Sequence, residues 1–270
     1  MDTLKKSAPD GLPPRVKRVA AVNDLSGFGR CSLTVALPIL SAMGFQACPV
    51  PTMLLSAHTG YPDPYIRDMT DDLPAYLAHW ERLGLEFEAV YTGFLGAPRQ
   101  AALLEPFLLR QMAAGALCLV DPAMADHGRL YATCTPALVE AMKRLVALAG
   151  VTTPNVTEAC LLTGTDYDAV TALPVAEQRA ALCQIGARLR ALGCDTVVIT
   201  GVPEEAGAVG NLIVDDVILH AAVLLITSVD QFHFIIAQIP RKKKRRTLCF
   251  TAFLLYFTKA TAYCGCAASA

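Results

Sequence analysis

The chain has 270 residues and a formal net charge of −1. That length can bury one large α/β core, and the charge gives no long-range pull on nucleic acid. Its ten cysteines are scattered, with no CxxC pair and only Cys264 and Cys266 close together, so neither a disulfide framework nor a zinc site is suggested and a reducing cytoplasm is expected.

Residues 1–14 hold charge, Pro and Gly but no apolar core, and read as a disordered lead-in, with the fold starting near Arg15. From there short apolar runs alternate with helical ones. "VKRVAAV" (16–22) reads as a buried strand, "CSLTVALPILSAMG" as a helix closed by Gly44, and "FQACPVPTMLL" as a second strand. "EAVYTGFL" (88–95) is strand-like, and "PRQAALLEPFLLRQMAAG" is helical with Pro98 in its first turn. "ALCLVDP" (116–122) follows as a strand, then a helix capped by Thr135, "VTTPN", a short helix at "TEACLLTG", a long helix over 175–192 and the strand "DTVVITG". This alternation predicts an α/β fold, a mainly parallel sheet with helices on both faces.

Ligands of such sheets collect at the carboxyl ends of the strands. The first strand runs into "NDLSGFGR", whose Asn23, Asp24 and Ser26 are polar and whose Gly27 and Gly29 let backbone approach closely. It lacks GxGxxG spacing, which argues against a dinucleotide site. The second strand delivers "SAHTGY" with His58, Thr59 and Tyr61, and "YTGF" brings Thr92 and Phe94 to the same level, where an aromatic ring can either stack on a flat ligand or fill core. Asp121 ends another strand with Pro122 behind it, and Asp126 follows in a turn. Asn155 and Glu158 fit a helix cap and first turn. They also fit another reading: acids at neighbouring strand ends repel unless a cation sits among them, and Mg²⁺ beside nucleotide phosphates takes oxygen ligands and waters.

Taken together, "NDLSGFGR", "HTGY", "YTGF", "VDPAMAD", "TPNVTEACLLTG" and "DTVVITG" resemble, in order and spacing, the motifs of the pyridoxal and pyridoxamine kinases of the ribokinase-like superfamily, over roughly residues 15–215. The resemblance implies ATP- and Mg²⁺-dependent phosphorylation of the 5'-hydroxymethyl group of a B6 vitamer. It also implies a division of the site: Asp24 and Thr59 on the polar edge of the pyridine ring, and Phe94 on its face. Asp121, Asp126 and Glu158 would hold the metal and its waters, with Asp121, Thr153, Asn155, Thr200 and Gly201 along the nucleotide. The related hydroxymethylpyrimidine kinases of thiamine synthesis are the alternative, as is a remnant that binds ligand without catalysis. The expected partners are a small-molecule vitamer and ATP, with no nucleic acid and no membrane, and a homodimer is compatible.

The same family carries a Gly-x-Gly-Asp segment whose backbone N–H groups form an anion hole and whose Asp takes the hydroxyl proton. No Gly-x-Gly-Asp occurs in this sequence; after Asp216 there is one glycine, Gly265, and one acid, Asp230. Residues 15–216 are therefore read as the kinase-like domain and 217–270 as an atypical tail. A reading-frame disruption, a pair of membrane helices around "RKKKRR" (241–246), or a basic patch for nucleic acid or lipid headgroups each accounts for it. The expected consequence is impaired catalysis.

Overall fold

The computed structural model describes residues 16–205 and 208–215, with the backbone of 222 and 223. The lead-in 1–14 and, apart from that short backbone piece, the tail 217–270 lie outside the described residues, and with them the readings placed on them.

In chain order the elements are β1 (Arg18–Ser26), α1 (Ser32–Ala42), β2 (Gln46–Leu55), β3 (Ile66–Asp68), α2 (Leu73–Arg82), β4 (Ala89–Thr92), α3 (Pro98–Ala113), β5 (Leu117–Val120), β6 (Ala125–Asp126), β7 (Arg129–Leu130), α4 (Pro136–Leu148), β8 (Val151–Thr152), α5 (Val156–Thr163), α6 (Tyr167–Thr171), α7 (Val175–Ala191), β9 (Thr196–Pro203), β10 (Val209–Val214) and β11 (Ala222–Val223). Local chemistry explains many of the boundaries. Thr135 caps α4, its hydroxyl accepting from the Leu138 N–H at 3.4 Å, and Pro136 occupies the first helical position, where no N–H is needed. Gly164 closes α5 in the left-handed conformation.

One sheet carries nine strands in the order β11-β10-β9-β8-β5-β4-β1-β2-β3. Pairing is parallel from β9 through β2 and antiparallel at both margins, where β10 and β11 extend one edge and β3 the other. The chain passes from β1 to β2 on one side and then returns to place β4 on the other side of β1. That reversal opens a crevice beyond the carboxyl ends of β1 and β4.

Side chains alternate between two apolar layers, as a strand period of two requires. Val19, Ala21, Tyr91, Leu119, Val151 and Val198 pack with Leu33, Ala36 and Leu40 of α1. On the opposite face Ala20, Val22, Val90, Val120 and Ile199 join the larger core with α2, α3, α4, α5 and α7. β1 runs further than its apolar stretch suggests. Beyond a bulge at Asn23, Leu25 and Ser26 pair with Leu54 and Leu55, so Asn23, Asp24 and Ser26 lie within the strand and not after it. Among the described residues no helix is long and apolar enough to cross a membrane.

Candidate active site

Backbone hydrogen bonds carry the sheet past the strand ends and tie the expected site residues into one rim. The Gly93 N–H donates to the Val22 carbonyl at 2.8 Å and the Asp121 N–H to the Thr92 carbonyl at 2.8 Å. Thr153 N–H reaches the Val120 carbonyl at 3.1 Å, and Thr200 N–H the Pro154 carbonyl at 2.9 Å. Asp24, Phe94, Asp121, Thr153, Asn155, Thr200 and Gly201 therefore follow one another along the carboxyl edge.

One half of the rim is built around Asn23. Its Oδ1 accepts from the Phe94 N–H at 2.8 Å and the Asp24 N–H at 3.0 Å, which sets both residues against β1. The Phe94 carbonyl accepts from the Thr52 hydroxyl of β2 at 2.9 Å, so that turn is held from two strands. The Phe94 ring is half-buried and packs on the larger core with part of its surface left open. Asp24 is buried, with Ser26 donating to its carboxylate at 3.3 Å, and burial raises its carboxyl above the usual range. Thr59 lies exposed on the turn after β2, beside His58 and Tyr61, whose rings are 4.7 Å apart.

The other half centres on Asp121 and Glu158. Glu158 is 3% exposed, and its carboxylate accepts from the Met124 N–H at 3.1 Å and the Asn155 N–H at 2.8 Å. Burial, then the neighbouring charge of Asp121, raises its carboxyl well above the usual range. Asp121 is pushed up to about 7 by burial, against a lowering hydrogen bond from Tyr91. Two carboxylates that resist ionising beside each other are a suitable donor pair for a hard dication with waters and phosphate oxygens. Asp126 is not drawn in with them. It is exposed at a two-residue hairpin between β6 and β7, where His127 (φ 49) and Gly128 (φ 77) both take positive φ, and it accepts from the His127 N–H at 2.8 Å. Among the described residues, no three His, Cys, Asp or Glu side chains gather as a complete metal cage.

Thr153 adds a polar atom in need of a partner. Its Oγ1 is buried and makes no hydrogen bond among the described residues. It lies just before α5, whose N-cap is Asn155; the Asn155 amide also donates to the Ala125 carbonyl at 2.8 Å, anchoring the hairpin to the helix. Thr200 is 8% exposed and Gly201, at φ +71, is open to solvent.

The profile of the phosphomethylpyrimidine kinase family matches residues 72–230, more than half of the chain. The chain belongs to that family. Within this neighbourhood, a pyridoxine/pyridoxal/pyridoxamine kinase from Bordetella avium (strain 197N) is 32% identical over 200 residues, covering 71% of this chain and 64% of the relative. The match thus spans less than two thirds of that relative's length. A Bacteroides thetaiotaomicron protein described as a phosphomethylpyrimidine kinase and crystallised with pyridoxal is 40% identical, with a TM-score of 0.69 over 74% of this chain and 69% of that one. Pyridoxal kinase from Lactobacillus plantarum is 29% identical, with a TM-score of 0.70 over 92% and 90%. The fold of this phosphomethylpyrimidine kinase family member is the ribokinase-like fold of those neighbours.

Several residues that shape the family member's site carry no sequence signal. Thr52 sits mid-strand in an apolar run. Gln100, fully buried in α3, accepts from the Gly96 N–H at 2.9 Å and donates to the Thr52 carbonyl at 2.8 Å, bracing the loop after Phe94. Tyr91 reads as core and is wholly buried, yet its hydroxyl reaches Asp121. Such roles depend on which strands neighbour one another, and periodicity is silent on that.

Proposed function

We propose that this protein transfers the γ-phosphoryl group of ATP to the 5'-hydroxymethyl group of pyridoxal, pyridoxamine or pyridoxine. The observation that carries the reading is the single rim that sets Asp24 and Phe94 beside the paired carboxylates Asp121 and Glu158, in a chain 40% identical to a pyridoxal-bound protein. Asp24 and Thr59 would bond the polar edge of the pyridine ring and Phe94 would stack on its face. Because burial raises the Asp24 carboxyl, it can offer the ring either a proton or a lone pair.

On the phosphate side, Asp121, Thr153, Asn155, Thr200 and Gly201 would line the nucleotide, with the unpaired Thr153 hydroxyl available to a phosphate oxygen. Asp121 and Glu158 would hold Mg²⁺, and Asp126 its water shell. The ion, when bound, neutralises charge on the phosphates. Placing the acceptor hydroxyl in line with the γ-phosphate is the task left to the rim. A cytoplasmic enzyme free of nucleic-acid and membrane partners fits the composition, and a homodimer is compatible with it.

These 270 residues contain no Gly-x-Gly-Asp segment, so the anion hole and general base of the resemblance have no counterpart in the sequence. Binding should be retained and turnover impaired, commonly by about 10²- to 10³-fold for one lost preorganised donor. That absence also keeps a non-catalytic binder in view, and the family description favours hydroxymethylpyrimidine as an alternative substrate. A coupled ADP-release assay with pyridoxal, pyridoxamine and hydroxymethylpyrimidine, run beside binding titrations, separates the three. The expected result is binding of pyridoxal and Mg-ATP with slow ADP release. Binding of neither ligand would end the reading, and turnover matching an intact relative would end the claim of impairment.

A further inference from the structure

The two halves of the rim are joined by a residue from the strand between them. On the α1 side of the sheet, Tyr91 of β4 stands in register with Ala21 of β1 and Leu119 of β5. Two residues onward, on the same face, those flanking segments present Asn23 and Asp121, while β4 presents Gly93. A Cβ at Gly93 would come 2.2 Å from Asn23 Nδ2, so glycine is what leaves the Asn23 side chain its place there. The Tyr91 hydroxyl meets both Asn23 and Asp121. It accepts from Asn23 Nδ2 at 3.5 Å and donates to Asp121 Oδ2 at 3.3 Å.

The direction of this chain is set by its Asn23 end. Asn23 Oδ1 is taken by the N–H groups of Asp24 and Phe94, which leaves its NH₂ facing the tyrosine. Since the phenol oxygen accepts from that NH₂, its own hydrogen is left for Asp121 Oδ2. The hydroxyl therefore joins the carboxylate on the phosphate side to the asparagine that sets both ring-side residues.

We infer that Tyr91 is a positioning residue: through its hydroxyl it holds Asp121 and Asn23 at one fixed separation, and so keeps the acceptor-ring and phosphate halves of the site in line. What the two halves bind rests on the kinase reading above, whereas the link itself does not. The phenol is wholly buried beneath the rim. Its bonds are long, but its removal leaves the buried Asn23 amide short of a partner, so stability should fall modestly along with the loss of placement. Misplacement of reacting groups by about 1 Å can cost on the order of 10²-fold in rate.

The test uses the full chain labelled with ¹⁵N-asparagine, which contains only Asn23, Asn155 and Asn211. Asp121→Ala should shift the Asn23 side-chain amide signals when Tyr91 is present, and leave them in place in a Tyr91→Phe background. A shift of the same size in both backgrounds would overturn the inference. In parallel, Tyr91→Phe should remain folded, melting modestly below the unsubstituted chain, and bind pyridoxal and Mg-ATP within about threefold of it, while ADP release with pyridoxal falls about tenfold or more. An unchanged rate would also overturn it. Failure of the unsubstituted chain to bind either ligand would remove the kinase reading alone, because the amide comparison needs no ligand and still decides whether Tyr91 couples the two residues.

Discussion

Asn155 and Glu158 cap one another across the first turn of α5: Asn155 Oδ1 accepts from the Glu158 N–H at 2.9 Å, and Glu158 Oε2 accepts from the Asn155 N–H at 2.8 Å. The same carboxylate, through Oε1, anchors Met124. Glu158 thus serves the fold as well as being a candidate metal ligand.

That double use separates two acid substitutions. Glu158→Gln turns an amide NH₂ toward a buried N–H, and should lower folding stability by about 1–2 kcal/mol, read as a lower urea midpoint. Asp121→Asn, at the rim, should shift the midpoint less. Both should weaken Mg-ATP binding, by about tenfold or more if a charged contact is lost. Equal midpoints would contradict the capping role, and unchanged Mg-ATP affinity in both variants would remove the metal assignment.

Thr59 is exposed at the rim and needs no partner for folding. Thr59→Val keeps its shape and deletes its hydroxyl, so pyridoxal binding should weaken by about 1 kcal/mol, roughly fivefold, with no change in melting. Calorimetric titration reads the difference, and equal affinity would place Thr59 outside the pocket.

Gly93→Ala puts a methyl group 2.2 Å from Asn23 Nδ2, inside a rim fixed by backbone hydrogen bonds. The expected cost is about 1–3 kcal/mol in urea unfolding, together with weaker pyridoxal binding as Asn23 releases Phe94 and Asp24. A variant as stable as the parent would show that the row Asn23, Gly93, Asp121 has slack.

Stability should also depend on pH in a direction the acids dictate. The Asp121 carboxyl is raised from 3.8 to about 7, first by burial, and Glu158 is raised by burial and then by the Asp121 charge. Both bind protons more tightly folded than unfolded. Their contribution is whole below about pH 4 and is lost as pH rises through the folded pKa, about 7 for Asp121. In EDTA the chain should melt higher at pH 5.5 than at pH 7.5, and Mg²⁺ should narrow the gap by favouring the ionised pair. A melting temperature that rises across that interval in EDTA would contradict the placement of the two acids.

The chain by itself determined the alternation of strands and helices, because apolar period and cap chemistry are local. Thr135 before Pro136 and Asn155 before Glu158 announce their helices without reference to the rest of the molecule. It also determined which polar residues follow the apolar runs, and hence most of the rim, from Asp24 to Gly201, although β1 and β9 run on through theirs. The short margins β3, β10 and the β6–β7 hairpin were not legible, nor were α2 and α6, since few residues carry each pattern and packing stabilises them. Only the tertiary structure decided that β4 lies between β1 and β5. That order brings Asn23, Tyr91 and Asp121 together from segments 68 and 30 residues apart. It also decided that Asp126 is exposed while Glu158 is buried. The tight turn at His127 and Gly128, both at positive φ, holds Asp126 at the exposed turn end of its hairpin.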